Sequence, residues 1–279
     1  MFLAKRLFEI LWTIVVLNGS FILISCSREE SWKELYERSQ VLYEKGERSE
    51  AIRMAEEAVK AAEKAFGFDH PNVAISLNGA ALLYNYLGRT AEAEAAHKRG
   101  IAILEKSRGP DHLDLATPLM NLAALYKEQR RYDQAERLFR RALVIFENRE
   151  GSEHPNVAVA SFALATVYES QGRLKEAERL YIRALRIQEN ASSKDRSSNA
   201  VYLQALADLY AGEERYGEAE TLYKQAVDIW EKSLGPKSPA VAGVLESYVK
   251  LLRKMSRNDE AIRVEQRAKA IRNEESQNK

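Results

Sequence analysis

Three of the four histidines, His70, His112 and His154, fall 42 residues apart. Imidazoles at a fixed interval suggest a metal site, since histidine is the commonest metal ligand. Geometry argues against it: equivalent residues of successive helical units lie at least one helix packing distance apart, about 8–10 Å, whereas zinc ligands sit ~2 Å from the ion. Each of the three instead precedes a helix start, which points to a turn or capping role. The fourth, His97, stands where Phe139, Tyr181 and Tyr223 stand one, two and three units later, and reads as a packing variant. Glu94, Glu136, Glu178 and Glu220 also recur at one position. A paired acid–base site would break a repeat rather than obey it, so these glutamates point to a solvated or inter-repeat face. There is no glycine-rich phosphate loop, no serine in a nucleophile turn, and one cysteine, Cys26, close to the N-terminus. The expectation is a protein without catalytic residues, metal or cofactor.

The elements behind these positions are set by the 42-residue period. Leu83-Tyr84, Leu125-Tyr126, Val167-Tyr168 and Leu209-Tyr210 are spaced 42 apart, with Val41-Leu42 and Leu251-Leu252 continuing the series. Tyr84, Tyr126, Tyr168 and Tyr210 read as core. Nine residues after the second member of each pair comes Ala51, Ala93, Ala135, Ala177, Ala219 or Ala261. Seven further on lies a second small residue, Ala58, Gly100, Ala142, Ala184, Ala226 or Ala268. Small residues at fixed places let two helix backbones approach closely. Ala135, Leu138, Phe139, Ala142, Leu143 and Phe146 follow the i, i+3, i+4, i+7 rule of one apolar helix face. Gly46, Gly88 and Gly172, with Arg130, Glu214 and Ser256 at equivalent places, end the first helix of each unit, where a left-handed residue is needed. His70-Pro71, His154-Pro155 and Ser238-Pro239 open the next. Each unit is therefore a helix–turn–helix, and the fold class is all-α.

Two departures stand out. Arg196-Ser197-Ser198-Asn199 replaces the His-Pro-Asn-Val pattern, which predicts a looser joint between the fourth and fifth units. Pro118 lies where an interior proline costs about 3 kcal/mol, so the helix containing it is expected to begin near Leu115.

The third unit, with Gly109-Pro110-Asp111-His112, Asn121-Leu122-Ala123-Ala124-Leu125-Tyr126 and Arg131-Tyr132-Asp133-Gln134-Ala135-Glu136, resembles the tetratricopeptide repeat in its 42-residue, kinesin-light-chain-like form. The resemblance covers residues 31–275 and divides them into 31–69, 70–111, 112–153, 154–195, 196–237 and 238–275, with a tail of 276–279. It implies a right-handed superhelical solenoid of about six repeats whose first helices line a concave groove. In that family a groove asparagine at the place of Asn121 bonds the backbone of an extended peptide; here Gly79, Ala163, Ala205 and Ser247 replace it elsewhere.

The N-terminus carries a separate message. Lys5 and Arg6 precede an apolar stretch from Ile10 to Ile24, which resembles an export signal. Leu23-Ile24-Ser25-Cys26 resembles the lipobox of bacterial lipoproteins, which implies removal of 1–25, lipidation of Cys26 and a short tether over 26–30. Left uncleaved, the 15 residues 10–24 would span only ~22 Å of a ~30 Å hydrocarbon core. The expected location is the bacterial envelope, anchored by lipid; resemblance to enterobacterial sorting signals, in which Asp would stand where Ser27 does for the inner membrane, implies the periplasmic side of the outer membrane. An uncleaved inner-membrane anchor is the alternative.

Lys and Arg total 42 against 41 Asp and Glu, for a net charge of +1. That near-balance disfavours nucleic acid, whose binding draws on a basic excess. The remaining reading is a protein that holds another protein or peptide. Projecting the helical period onto the first helices gives an open stripe of Ile75, Gly79, Leu82 and Tyr86; Thr117, Asn121, Ala124 and Glu128; Val159, Ala163, Thr166 and Ser170; Val201, Ala205, Asp208 and Gly212; then Ser247, Lys250 and Lys254. The candidate contact residues are Tyr86, Thr117, Asn121, Glu128, Thr166, Ser170, Asp208 and Lys250. The other readings are an accessory subunit of an envelope enzyme and a self-associating structural protein; the oligomeric state is left open.

Overall fold

A computed structural model describes residues 31–191 and 197–277, and these are helical throughout apart from turns, with no strand among them. Cys26 and the preceding apolar stretch, expected to be a lipobox and an export signal, lie outside the described residues. So do Ser192 to Arg196, in the joint expected to be looser.

The chain forms two compact units, one ending at Leu125 and the other beginning at Tyr126. In the first, helix α1 (residues 31–44) is followed by α2 (Arg48–Phe66), α3 (Pro71–Tyr86), α4 (Thr90–Arg108), a 3-10 turn at Leu113–Leu115 and most of α5 (Ala116–Glu128). Helix α2 packs on α3 and α3 on α4. The second unit holds the last turn of α5, then α6 (Tyr132–Glu150), α7 (Pro155–Ser170), α8 (Leu174–Asn190), α9 (Ser197–Gly212), α10 (Tyr216–Leu234), α11 (Pro239–Lys254) and α12 (Asn258–Gln277). Each of α6 to α12 packs on its neighbours in sequence. Consecutive helix pairs in register are the tandem architecture that the 42-residue period predicts.

The punctuation is as the sequence implies. Arg130, Glu214 and Ser256 have φ of 60°, 64° and 60°, and Gly46, Gly88 and Gly172 lie at 79°, 74° and 75°. All six places thus adopt one left-handed turn, and three do so despite carrying a Cβ. The Nδ1 atoms of His70 and His154 accept from the backbone N–H of Asn72 and Asn156, both at 3.2 Å, capping α3 and α7. His112 does the same for Asp114 ahead of the 3-10 turn, and Ser238 Oγ for Ala240 at 3.3 Å. These side chains satisfy N–H groups that a helix start leaves without intrahelical partners. The 3-10 turn ends at Leu115 and α5 begins at Ala116, which puts Pro118 in the first helical turn where a missing N–H is tolerated.

The small residues are the seams between helices. Ala51, Ala58, Ala93, Ala135, Ala142, Ala177, Ala184, Ala219 and Ala226 are wholly buried. A Cβ on Gly100 would lie 3.3 Å from the Ala74 carbonyl oxygen, tighter than ordinary contact, so α4 rests against α3 with no room for alanine to sit comfortably. His97 is buried at 2% exposure, in the place occupied by Phe139, Tyr181 and Tyr223 in the next three pairs. Asn199 occupies the register of Val73, Leu115, Val157 and Val241. It is buried at 4% exposure, and among the described residues its Oδ1 has no hydrogen-bond partner. The polar substitution in the fifth repeat therefore enters the core itself.

Candidate functional site

What positions the first helices is a side-chain staple repeated once per pair. In the second unit the Arg173 guanidinium lies 4.0 Å from the centre of the Tyr168 ring, donates to Glu136 on α6 at 2.7 Å and forks onto Glu176 on α8. Arg215 lies 3.6 Å over Tyr210, donates to Glu178 at 2.7 Å and forks onto Glu218. Arg257 joins Glu220 at 2.6 Å to Glu260. Glu220, whose carboxyl is pulled down to about 2 by Arg257 first, also accepts from the Tyr248 hydroxyl. In the first unit Arg89 stacks on Tyr84 at 4.5 Å, while Glu56 takes the glutamate's part. Glu136, Glu178 and Glu220 are thus inter-repeat groups, and Tyr168 and Tyr210 serve as both core and stacking surface.

With both flanks of each first helix occupied by packing, its remaining stripe stays accessible. In the first unit Ile75, Leu82, Tyr86 and Thr117 are exposed, and Gly79, Asn121 and Ala124 are half-buried. Asn121 is already engaged: its Nδ2 donates to Asn78 Oδ1 at 3.2 Å, which leaves the amide oxygen for other bonds. Tyr86 accepts from Arg48 Nη2 at 2.7 Å and meets Tyr43 edge to face at 5.0 Å.

In the second unit Glu128, Val159, Ser170, Val201, Asp208 and Lys250 are exposed, and Ala163, Thr166, Ala205 and Ser247 half-buried. The hydroxyls of Thr166 and Ser170 donate to backbone carbonyls of their own helix, at Ala163 and Thr166. Asp208 is the most elaborated of the group. It accepts from the Tyr223 hydroxyl of α10 and from Ser247 of α11, with Lys250 close by. Desolvation by the surrounding helices nevertheless pushes its carboxyl above the usual range. Lys254 donates to the Ala211 carbonyl at 3.1 Å, tying α11 to α9.

The sequence reading missed the stapling arginines. Arg89, Arg131, Arg173, Arg215 and Arg257 keep the 42-residue interval, and that interval was the available signal. It also missed an open cavity of about 430 Å³ between α1 and α3, lined by Tyr36, Tyr43, Glu44, Leu82 and Tyr86 among others. Among the described residues no cluster of three or more His, Cys, Asp and Glu is placed to hold a metal. No described helix is long and apolar enough to cross a membrane.

The family model of the tetratricopeptide repeat matches residues 34–106, 81–148, 114–190 and 197–274. No curated protein matches the chain in sequence. Among solved structures, the nearly identical TPR-like repeats from Podosopora anserina share 24% identity at a TM-score of 0.63, over 73% of this chain and 96% of that one. BtubC (BKLC) from P. vanneervenii shares 21% at 0.66, over 76% and 91%. A Rap protein complexed with competence and sporulation factor shares 15% at 0.60, over 89% and 77%. At these identities the likeness is one of fold.

Proposed function

Since this chain belongs to the tetratricopeptide repeat family, we propose that it is a non-catalytic scaffold that holds a partner protein or peptide on the exposed stripe of its first helices, anchored in the bacterial envelope through lipid on Cys26. One observation carries the first part. The small residues of the second helices are buried in packing, whereas not one residue of the first-helix stripe is. A repeat that leaves the same face uncovered in each copy offers surface area, and surface area is what binding a polypeptide requires. The likeness in fold to a Rap protein solved with competence and sporulation factor supports a binding role.

The stripe changes character along the chain, from Leu82 and Tyr86 through Thr166 and Ser170 to Asp208 and Lys250. Such a face selects a partner by matching apolar anchors at one place and charges at another, not by one deep pocket. The anchor is supported by the lipobox-like Leu23-Ile24-Ser25-Cys26. Two or more acyl chains hold a protein at a membrane stably where one does so only marginally.

The test uses the full-length chain, affinity-tagged and captured from its native cells. A saturable partner is expected, and it should be lost when Asn121, Thr166 and Asp208 are together replaced by large charged residues. Unchanged recovery would refute the assignment of the face. Separately, Cys26→Ala should abolish incorporation of radiolabelled fatty acid, and label retained on that variant would remove the anchor.

A further inference from the structure

The cavity between α1 and α3 has a chemistry of its own. Its walls are the rings of Tyr36, Tyr43 and Tyr86 with Leu82 and Leu83, and its polar rim includes Ser39, Gln40 and Glu44. Gly79 makes it possible: a Cβ at that place would come within 2.6 Å of the Tyr36 ring, so only glycine lets that ring lie against the α3 backbone. Leu82 and Tyr86 remain 48% and 49% exposed, so the apolar walls are open to an incoming group. At about 430 Å³ the space falls at the lower end of the range that holds small organic ligands, enough for one long side chain.

Three features favour a positive charge there. Glu44 makes no ion pair or hydrogen bond among the described residues, whereas Glu50, Glu56, Glu57 and Glu63 on the next helix are each paired with an arginine. Glu44 is the last residue of α1 and Tyr86 the last of α3, so two helix C-termini, the negative ends of their dipoles, flank the cavity. The aromatic walls offer the negative face of their quadrupoles. One face of the Tyr86 ring is taken by the Arg48 guanidinium, 4.5 Å from its centre. The feature is also particular to this pair of helices. In the register of Leu82 and Tyr86 the later repeats carry Ala124 and Glu128, Thr166 and Ser170, or Asp208 and Gly212.

We propose that this cavity is a specificity pocket for one lysine or arginine side chain of the partner, with the aliphatic stem along Leu82 and the tyrosine rings and the charged head at Glu44. A stem-and-head side chain satisfies both halves of the lining at once. The proposal rests on the reading of the first-helix face as the partner surface and adds to it the residue type that this part of the face selects.

The test titrates the full chain, with carbon-13-labelled tyrosine rings, against three capped tripeptides in which the central residue between glycines is lysine, norleucine or glutamate. The lysine probe should shift the Tyr43 and Tyr86 signals saturably, at least fivefold more tightly than norleucine, and the glutamate probe should leave them in place. Glu44→Gln should weaken the lysine probe about tenfold while leaving the thermal midpoint unchanged. Leu82→Lys, which puts a cation into the cavity, should abolish the shifts and serves should the glutamine variant fail to fold. Equal binding of lysine and norleucine, or a Glu44→Gln variant that binds as the parent does, would overturn the pocket. If the probes fail while capture of the partner still depends on Thr166 and Asp208, the pocket falls and the reading of the face stands.

Discussion

Arg215 reaches back 37 residues to Glu178, its Nη1 donating at 2.7 Å while its plane lies 3.6 Å above the Tyr210 ring. One side chain thus joins three helices, α8 through Glu178, α9 through Tyr210 and α10 through Glu218. Arginine suits the task because its planar fork can stack and bond two carboxylates at once. Arg215→Ala should lower stability, through loss of the cation–π contact with Tyr210 and of the ion pairs to Glu178 and Glu218. Arg215→Lys should regain less than half of that, as read from the midpoint of urea unfolding.

His97 predicts a specific pH dependence. Burial lowers its imidazole to about 4 from an ordinary 6.5. Between those values the unfolded chain binds a proton that the folded chain does not, so stability falls as pH drops from 6.5 towards 4, by roughly 3 kcal/mol in all. Above pH 6.5 the effect is absent. His97→Phe, which installs the residue found at Phe139, should remove this slope. The Glu220 carboxyl, held at about 2 chiefly by Arg257, acts in a lower window: its contribution is present above 4.5 and is lost as pH falls towards 2. Denaturant titrations at pH 7.5, 6, 5, 4 and 3 separate the two, His97 acting between 6.5 and 4 and Glu220 below 4.5.

Asn199 gives a stabilising prediction. Its buried Oδ1 lacks a partner among the described residues, in a place where four other repeats carry valine or leucine. An unsatisfied buried polar atom costs about 1–3 kcal/mol, so Asn199→Val should raise the unfolding free energy by up to that amount, read as a higher unfolding midpoint. A variant less stable than the parent would show that the amide is satisfied in solution.

Glu214 holds φ at 64°, where Cβ costs about 1–2 kcal/mol relative to glycine. Glu214→Gly should stabilise by up to about 1 kcal/mol after the added chain entropy of glycine is subtracted. Gly172→Ala, at the equivalent turn, should destabilise by a comparable amount. Both are read from thermal midpoints.

Much of the backbone was legible because each repeat checks the others. Arg130, Glu214 and Ser256 do not look like left-handed residues, yet the 42-residue register places them at the turns of Gly46, Gly88 and Gly172. The same register marked the histidines as caps, and Pro118 set the start of α5. Long-range side-chain partnerships were not legible, because they depend on how one pair rests on the next. Nothing in the sequence says that Arg215 returns to α8, or that Glu56 stands in for the Ile52 position in pairing with Arg89. Nor does it say that Asn121 turns its amide to Asn78. The cavity by Tyr86 was hidden for the same reason, since it needs Tyr36 to lie on Gly79. The stripe residues were placed by helical period alone, which fixes a face and leaves the chemistry of each position to its neighbours.

The most direct test of the central claim places a photo-crosslinking amino acid at Thr166 on the first-helix face, or at Val144, an exposed residue of a second helix, in the full-length chain in its native cells. The account predicts a discrete adduct with a different protein from Thr166 and none from Val144. Adducts from Val144 alone, or from Thr166 only to a second copy of this chain, would contradict it.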